Sequence, residues 1–213
     1  MKKVLLAISA VLVVVLSVFL INLPTGQENM SDEIYNPSAE NGFISEKIIG
    51  NPDTAKIVIF EYADYGCSHC AHWNSKLNAY REEYGDKIAI VFRSYSIGYE
   101  NGDAAQRAAT AAHLQGYWKE YKDLLFSNQG EWFSADSETA NSLFLDYFRT
   151  ASNNRGDIIK FQKDMSSENV RKRHEFDRQL GKSFGINATP TFRVNGETIK
   201  NGDLSSKIEE MVK

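Results

Sequence analysis

The feature that most constrains this chain is the position of its only two cysteines, Cys67 and Cys70, which are spaced C-x-x-C. Residues 57–60 (Ile-Val-Ile-Phe) form a continuous apolar run before them, long enough for a buried β-strand and too short for a helix. After the pair, apolar side chains recur at the three- and four-residue steps of an amphipathic helix. These are Cys70, Trp73, Leu77, Tyr80 and Tyr84. The cysteines therefore lie at a strand-to-helix junction, with Cys67 at or near the first helical residue.

A cysteine at the start of a helix has a chemical consequence. The unpaired backbone N–H groups and the positive end of the helix dipole point at its sulfur, and both favour the thiolate over the thiol. The pattern therefore predicts thiol–disulfide chemistry. Cys67 is expected to be the exposed, reactive member of the pair, and Cys70, one turn further on, is expected to face the core.

Two other uses of C-x-x-C are less favoured. The first is a zinc site, because His69 and His72 are close by. A structural zinc needs four ligands, however, and the sequence has no second cysteine pair and no H-x3-H cluster. A purely structural disulfide is the other, but a crosslink that closes so short a loop stabilises a fold of this size little. We therefore expect no metal site and no cofactor beyond the redox-active disulfide Cys67–Cys70.

The N-terminus predicts the compartment. Lys2 and Lys3 precede residues 4–23, which carry no charge and as a helix would be about 30 Å long, enough to cross a bilayer. No Ala-x-Ala cleavage site and no lipobox cysteine follow, so residues 1–23 are interpreted as an uncleaved signal-anchor helix. The lysines keep the N-terminus in the cytoplasm, so the rest of the chain is expected outside the cell membrane, where disulfides persist. A cleaved signal peptide is the alternative, and it changes the tethering but not the compartment.

Composition argues against nucleic-acid binding. The net charge is −4 over 213 residues, and the basic cluster at 171–174 lies among acidic residues. Glu168 and Lys172 form a helical i, i+4 pair, so this cluster is interpreted as a solvated helix face. The length and the hydrophobic content of 42% allow one domain with an insertion or two small domains.

Residues 24–42 are polar and rich in turn-forming residues, which predicts a linker to a folded domain over residues 43–213. The pair Asn195-Gly196 favours a type I′ hairpin turn. Asp103 and Gln106 resemble a capping box that opens a helix over 104–115. The predicted elements are a strand at 56–62, the cysteine helix to about 84, a strand at 87–92, helices within 101–184, hairpin strands at 191–194 and 197–200, and a closing helix from 204.

This order, with C-x-x-C at the start of the first helix, resembles the thioredoxin fold, and its details resemble the DsbA-like branch of that family. In residues 57–73 a hydrophobic strand carries an acidic residue, Glu61, six positions before the first cysteine. Residues 185–196 (GINATPTFRVNG) are similar to the family's G-V-x-G-T-P-T-F-x-V-N-G. The helices within 101–184 correspond to an insertion that plain thioredoxins lack. Ser68, in place of the proline of C-P-H-C, and Ala188, in place of the glycine before Thr-Pro, depart from the family pattern.

The resemblance implies an α/β fold with a central mixed sheet and an inserted all-helical subdomain. It also implies the roles of the catalytic residues. Cys67 forms a mixed disulfide with the substrate, and His69, beside both sulfurs, helps to stabilise the thiolate. Glu61, on a strand buried beneath Cys70, has a raised pKa and relays the proton of that cysteine.

Substrate binding is expected on the surface around the cysteines. Pro190 corresponds to the family's cis-proline facing them, which leaves the backbone of Thr189 available to pair with an extended substrate strand. Ser68 and Tyr65 are the other candidates for this surface. Trp73 lies on the apolar stripe of the cysteine helix and is expected in the core.

The function that the resemblance implies is that of an extracytoplasmic protein thiol:disulfide oxidoreductase that introduces disulfides into exported proteins. Its partners would be reduced or unfolded exported proteins and a quinone-linked membrane thiol oxidase, and the protein would be a monomer. A membrane-tethered reductase or isomerase is one alternative, although residues 24–42 are too short and polar for the dimerisation module that such isomerases carry. A non-enzymatic binding or chaperone module with an idle disulfide is the other.

Overall fold

The computed structural model describes residues 44–200 and 202–213. The predicted signal-anchor, residues 1–23, and the predicted linker, residues 24–42, lie outside these residues. In the part of the chain that is described, no helix combines the length and the apolar character needed to cross a membrane.

Within the described residues, five strands form one mixed sheet in the order β1-β3-β2-β4-β5. They are β1 (Lys47–Ile49), β2 (Ile57–Ala63), β3 (Ile88–Ser94), β4 (Thr191–Val194) and β5 (Glu197–Ile199). β2 and β3 pair in parallel, and the other three pairings are antiparallel. β3 is buried along its whole length and β2 almost so, which explains the continuous apolar runs in their sequences. The predicted central mixed sheet is confirmed.

Helix α1 (Ser68–Tyr84) follows β2 and leads to β3. Its buried side chains include Cys70, Trp73 and Leu77, so the apolar stripe faces the core as predicted. The helix ends at Gly85, whose φ of 55° lies in the left-handed region that favours glycine. The predicted cysteine helix and its end are confirmed.

Six helices lie between β3 and β4 and make up the inserted region. They are α2 (Gly102–His113), α3 (Trp118–Ser127), α4 (Gln129–Trp132), α5 (Ser137–Ala151), α6 (Ile158–Met165) and α7 (Glu168–Ser183). Aromatic rings fill the space between them, with Phe148 of α5 stacked on Phe161 of α6 at 4.1 Å between ring centres. The predicted helical insertion within 101–184 is confirmed.

The predicted capping box of α2 is wrong. The N-cap is Asn101, which has a φ of 55°, and its side-chain amide donates to the carbonyls of Trp132 and Ala135 at 2.9 Å. Asp103 instead pairs with Arg107 on the helix surface at 2.9 Å. The start of α2 is therefore fixed by contacts with the last residue of α4 and with the segment after it, which no local sequence pattern predicts.

The C-terminal elements follow their local sequence signals. Asn195 and Gly196, between β4 and β5, have φ values of 51° and 80°, and two positive φ values are what a type I′ turn requires. Helix α8 (Leu204–Val212) closes the chain with Leu204, Ile208 and Val212 buried. The predicted hairpin and the predicted closing helix are both confirmed.

A buried charge cluster joins β1, β3 and α7. It consists of Glu46, Lys47, Arg93, Arg173 and Asp177, all buried. Arg93 pairs with Glu46 at 2.6 Å and with Asp177 at 3.5 Å, and Arg173 pairs with both carboxylates. The sequence does not predict β1, because it has three residues and begins with the charged Lys47. The charged partners in this cluster compensate the burial of Lys47, so the strand that begins with it can be buried.

Candidate active site

Cys67 is the N-cap residue of α1, and three residues, 64–66, separate it from the end of β2 at Ala63. Its backbone is extended, with φ −85° and ψ 120°, and its N–H donates to the Asp64 carbonyl at 3.1 Å. The first N–H groups of α1 therefore surround its sulfur. Both cysteines are free thiols in this structure.

The two cysteines differ strongly in acidity. The Cys70 thiol, which hydrogen-bonds to the Cys67 sulfur, lowers the pKa of Cys67 to about 5, with support from Thr189 and from the backbone N–H groups of Cys70 and His69. Burial raises the pKa of Cys70 far above its usual value, and the adjacent Cys67 raises it further. Cys67 is thus the thiolate and good leaving group of the pair, and Cys70 stays protonated.

Cys67 is less accessible than its place at the helix start predicts. The residue is 2% exposed, so the expectation that it is the exposed member is wrong for this structure. Tyr99, in the segment between β3 and α2, lies beside Cys67 and hydrogen-bonds to it. Burial raises the pKa of Tyr99, and so do the charge of Cys67 and this hydrogen bond. A Cβ at Gly66 would lie 2.6 Å from the Tyr99 Cβ, so only glycine permits this close approach.

Asp64 shapes the approach to Cys67 and is a residue that sequence reasoning missed. Its Oδ1 accepts from the Gly66 N–H at 2.9 Å and its Oδ2 from the Ile97 N–H at 2.9 Å. One buried carboxylate thus holds the turn before Cys67 and the segment that carries Tyr99. An aspartate two residues before a glycine is a known turn signal and could have identified the first contact, but not the second.

Glu61 lies in the middle of the sheet, between Phe92 of β3 and Phe192 of β4. It is 3% exposed, and burial raises its pKa to about 7, with the charge of Lys122 acting in the opposite direction. Its Oε1 has no hydrogen-bond partner among the described residues. The charge of Glu61 in turn raises the pKa of Cys70.

The Thr189–Pro190 segment faces the cysteines. The Thr189–Pro190 peptide bond is cis, and the Cys67 Sγ lies 3.3 Å from the Thr189 carbonyl oxygen. Ser68 and His69, the two residues after Cys67, are exposed. The contact of His69 with Cys67 runs through its backbone N–H. Thr189 and the His69 backbone thus contact Cys67. The roles of Thr189, Pro190, Ser68 and His69 stay predictions.

Tyr65 does not belong to this surface, and its prediction as a substrate-binding residue is wrong. The residue is fully buried, and its ring packs between Phe92 and Phe126 at 5.3 and 5.0 Å between ring centres. Its hydroxyl accepts from the indole N–H of Trp118 at 3.0 Å. The helical insertion therefore covers Tyr65. Trp73 is in the core, packed against Phe192 at 5.0 Å, as its place on the apolar stripe predicts.

The described part of the chain contains no group of three or more His, Cys, Asp or Glu side chains that could hold a metal ion. Neither His69 nor His72 therefore forms such a group with the cysteines. The chemistry that the site can perform with its own atoms is exchange between thiols and disulfides.

A mixed sheet with a C-x-x-C pair at the start of α1 and a cis-proline facing it defines a thioredoxin-type thiol–disulfide site. Residues 44–213 match the family model described as thioredoxin. The chain belongs to the thioredoxin family. Its predicted resemblance to the DsbA-like branch, with a helical insertion, is also confirmed.

Individual relatives agree with this assignment. Disulfide bond formation protein D of Bacillus subtilis (strain 168) is 25% identical over 181 residues, which are 82% of this chain and 79% of the relative. The crystal structure of oxidised BdbD from Bacillus subtilis superimposes with a TM-score of 0.66 at 20% identity and covers 84% of this chain and 97% of that chain. These relatives belong to the enzyme class that the sequence predicts.

Other relatives are longer proteins. The Na(+)/H(+) antiporter NhaA of Herminiimonas arsenicoxydans is 29% identical over 153 residues, which are 71% of this chain and 23% of the antiporter. The chain thus spans less than a quarter of the length of such relatives. The similarity therefore covers one part of the antiporter, of 153 residues, which is close to the length of the thioredoxin domain of this chain.

Proposed function

We propose that this protein is an extracytoplasmic thiol–disulfide oxidoreductase that introduces disulfides into exported proteins through the Cys67–Cys70 pair. One observation carries the proposal: Cys67 is the N-cap residue of α1, beside the buried Cys70 and the cis Thr189–Pro190 bond, where the helix N-terminus favours its thiolate. A stabilised thiolate stabilises the reduced form of the pair. A pair whose reduced form is stabilised is an oxidant of other dithiols.

In the proposed reaction, a substrate thiolate attacks the Cys67 sulfur of the oxidised pair. The Cys67–Cys70 bond breaks, its electron pair goes to Cys70, and Cys70 takes up a proton. A second substrate thiolate then attacks the substrate sulfur of the mixed disulfide and expels Cys67 as a thiolate. The substrate dithiol loses two electrons and two protons; one proton stays on Cys70 and the other goes to solvent.

The residues around Cys67 have proposed roles in these steps. Glu61, with a pKa of about 7, gives its proton to Cys70 as that sulfur leaves and recovers it from solvent. The backbone of Thr189, held by the adjacent Pro190, pairs with an extended substrate segment, and the exposed Ser68 and His69 line its path.

The compartment and partners follow from the proposed activity and the N-terminal sequence. Residues 1–23 would anchor the protein in the cell membrane as a single span, with the cysteines outside and in contact with reduced exported proteins. A quinone-linked thiol oxidase in the same membrane would restore the Cys67–Cys70 disulfide. No cofactor beyond this disulfide enters the reaction, and the protein would act as a monomer.

The redox potential tests the direction of electron flow. Equilibration of the protein with glutathione buffers is expected to give a potential of about −120 to −180 mV, the range of known oxidants and isomerases. The reason is the low pKa of Cys67, which favours the reduced pair. A potential of about −270 mV, as in thioredoxin, would contradict the proposal and favour a membrane-tethered reductase.

Glu61→Gln tests the proton relay. The variant is expected to lower the rate of disulfide exchange at neutral pH by about 100-fold, the usual contribution of a general acid or base. The substitution should also remove a pH dependence of the free energy of unfolding. Because the pKa of Glu61 is about 7 in the folded protein and 4.5 when solvated, the wild-type protein loses about 3 kcal/mol of stability as the pH rises through this window. The glutamine variant should not.

The matched control is Glu82→Gln, which removes an exposed acid from α1. This control should change neither the rate of disulfide exchange nor the pH dependence of the free energy of unfolding. Stopped-flow fluorescence and urea unfolding at several pH values measure both quantities. Exchange at the wild-type rate in Glu61→Gln would exclude the relay.

A further inference from the structure

Tyr99 is held beside Cys67 by its backbone and by its ring. Its carbonyl accepts from the Gly102 N–H at 3.1 Å, and its ring packs against Phe133 at 5.9 Å between ring centres. Its Cβ occupies the space next to Gly66, where a Cβ would lie 2.6 Å from it. Its hydroxyl hydrogen-bonds to the sulfur of Cys67. The segment between β3 and α2 therefore brings an aromatic side chain against the residue that carries the reactive sulfur.

The surroundings of Cys67 are more closed than those of its neighbours in the chain. The two residues that follow it are exposed, whereas Cys67 is 2% exposed. Among the residues that contact its sulfur, Cys70 is buried, Thr189 is half-buried and Tyr99 is 37% exposed. Tyr99 is therefore the part of this cover that can turn into solvent without a change in the core.

The backbone around Tyr99 allows this movement. On one side the Ile97 N–H donates to the Asp64 carboxylate at 2.9 Å, and on the other the Gly102 N–H holds the Tyr99 carbonyl. Between these anchors, Gly98 has a φ of 95°, and a Cβ placed on it would meet nothing within 4 Å. The ring can thus rotate about its side-chain torsions, away from the sulfur, while both ends of the segment stay fixed.

We propose that Tyr99 is a specificity-determining residue, a cap over the Cys67 sulfur that an extended protein substrate displaces and a small thiol does not. A protein segment that pairs with the backbone of Thr189 gains binding free energy, and part of that free energy moves the ring aside. A thiol of the size of glutathione makes too few contacts for this, so it reacts only when the cap opens spontaneously. The inference rests on the proposed function, because it assigns the substrates of disulfide exchange at Cys67.

The ring and the hydroxyl of Tyr99 contribute differently in the two redox states. In the reduced protein, which is the state of this structure, the hydroxyl donates to the Cys67 thiolate. A hydrogen bond to a charged acceptor is stronger than one to a neutral acceptor. In the oxidised protein the same sulfur is neutral, so the cover comes mainly from the ring. The cap should therefore be tighter over the thiolate than over the disulfide, which is the form that accepts substrate.

Alkylation of the reduced protein measures the cap. Iodoacetamide is expected to react with the Cys67 thiolate about tenfold faster in Tyr99→Ala than in the wild type, because a hydrogen bond to a charged group contributes at least that factor. Measurements at a pH at which Cys67 is fully ionised in every variant remove differences in its acidity. Leu114→Ala, which removes an equally exposed side chain after α2, is the matched control and should react at the wild-type rate.

Gly66→Ala displaces the ring without removing it. The new methyl group would lie 2.6 Å from the Tyr99 Cβ, so the tyrosine must move. The alkylation rate should rise as in Tyr99→Ala, and the double variant should show no further increase, because both changes open the same cap. A wild-type alkylation rate in folded Tyr99→Ala would overturn the cap, whatever the rate in Gly66→Ala.

Selectivity is measured on the oxidised protein with two reductants, reduced glutathione and a reduced, extended peptide that contains two cysteines. In Tyr99→Ala the rate constant for glutathione is expected to rise about tenfold, and that for the peptide by less than about twofold, because the peptide already displaces the ring. Tyr99→Phe should keep the wild-type selectivity, since the ring remains. Its reduced form should still be alkylated faster, since the hydroxyl is gone. Equal changes for both reductants in Tyr99→Ala would overturn the selection.

The outcomes separate the cap from the proposed function. The alkylation rates are measured on the reduced protein alone, so they do not depend on the direction of electron flow. A reduction potential as low as that of thioredoxin would contradict the proposed function and leave these rates unaffected. If the wild-type protein oxidises the peptide and Tyr99→Ala changes neither the alkylation rate nor the selectivity, the proposed function stands and the role of Tyr99 is overturned.

Discussion

Replacing Cys70 with alanine is expected to trap covalent complexes between Cys67 and substrate proteins. In this variant the Cys67 thiolate attacks a disulfide already present in a substrate protein, and one substrate sulfur leaves as a thiolate. Without Cys70 the protein has no second thiol to displace the bound substrate, so the complex should accumulate, while net dithiol oxidation is lost because the Cys67–Cys70 disulfide cannot form. Non-reducing electrophoresis after acid quenching, followed by mass spectrometry, would detect the complexes. Cys67→Ala is the matched control and should form none, because the buried and protonated Cys70 is a poor nucleophile.

The same pair of variants addresses the non-enzymatic alternative. A binding module would retain its activity in Cys67→Ala, whereas an oxidoreductase would lose it completely. In Cys70→Ala the pKa of Cys67 should also rise, because the hydrogen bond from Cys70 is the main cause of its low value. Titration of the thiolate absorbance measures this change. An unchanged pKa would mean that the helix N-terminus and Thr189 are sufficient to stabilise the thiolate.

Asp177→Ala is expected to lower the free energy of unfolding by about 3–5 kcal/mol, the usual effect of removing one partner from a buried ion pair. Asp177 is fully buried and pairs with Arg93 and Arg173. Without it, the buried charge cluster would hold three cations, including Lys47, against the single carboxylate of Glu46. Urea denaturation measures the loss.

The pH dependence of this effect has a definite sign. Burial acts to raise the pKa of Asp177, but Arg173, Arg93 and Lys47 outweigh it and hold the pKa below its usual range. The contribution of Asp177 to stability is therefore present above the usual pKa of an aspartate and is lost as the pH falls through the lowered value. In Asp177→Ala the free energy of unfolding should therefore fall less steeply as the pH is lowered through this range. Glu175→Ala, which removes a surface ion pair from the same helix, is the control and should have little effect.

The sequence predicted those features whose causes are local. Strand β2 and helix α1 could be placed because apolar periodicity is a property of neighbouring residues, and the hairpin because Asn195-Gly196 tolerates two positive φ values. The acidity of Cys67 followed from its place at a helix start. The segments that resemble DsbA-like proteins predicted the helical insertion and the position of Pro190.

Other features depend on residues that are far apart in the chain. The capping box of α2 fails because Asn101 is held by carbonyls at and just after the end of α4. Tyr65 lies in the core and not on the substrate surface because Trp118 and Phe126, from the insertion, cover it. Tyr99, which lies beside Cys67, comes from the segment that precedes the insertion.

The sequence by itself therefore determined the chemistry of this protein, a cysteine pair at a helix start, and the order of its secondary structure elements. The tertiary structure decided how accessible Cys67 is, which charges surround Glu61, and how β1 becomes buried. The physical reason is that backbone preferences and helix-end electrostatics act over a few residues. Burial and charge pairing join groups such as Lys122 and Asn74, which are 48 positions apart, or Arg173 and Glu46, which are 127 apart.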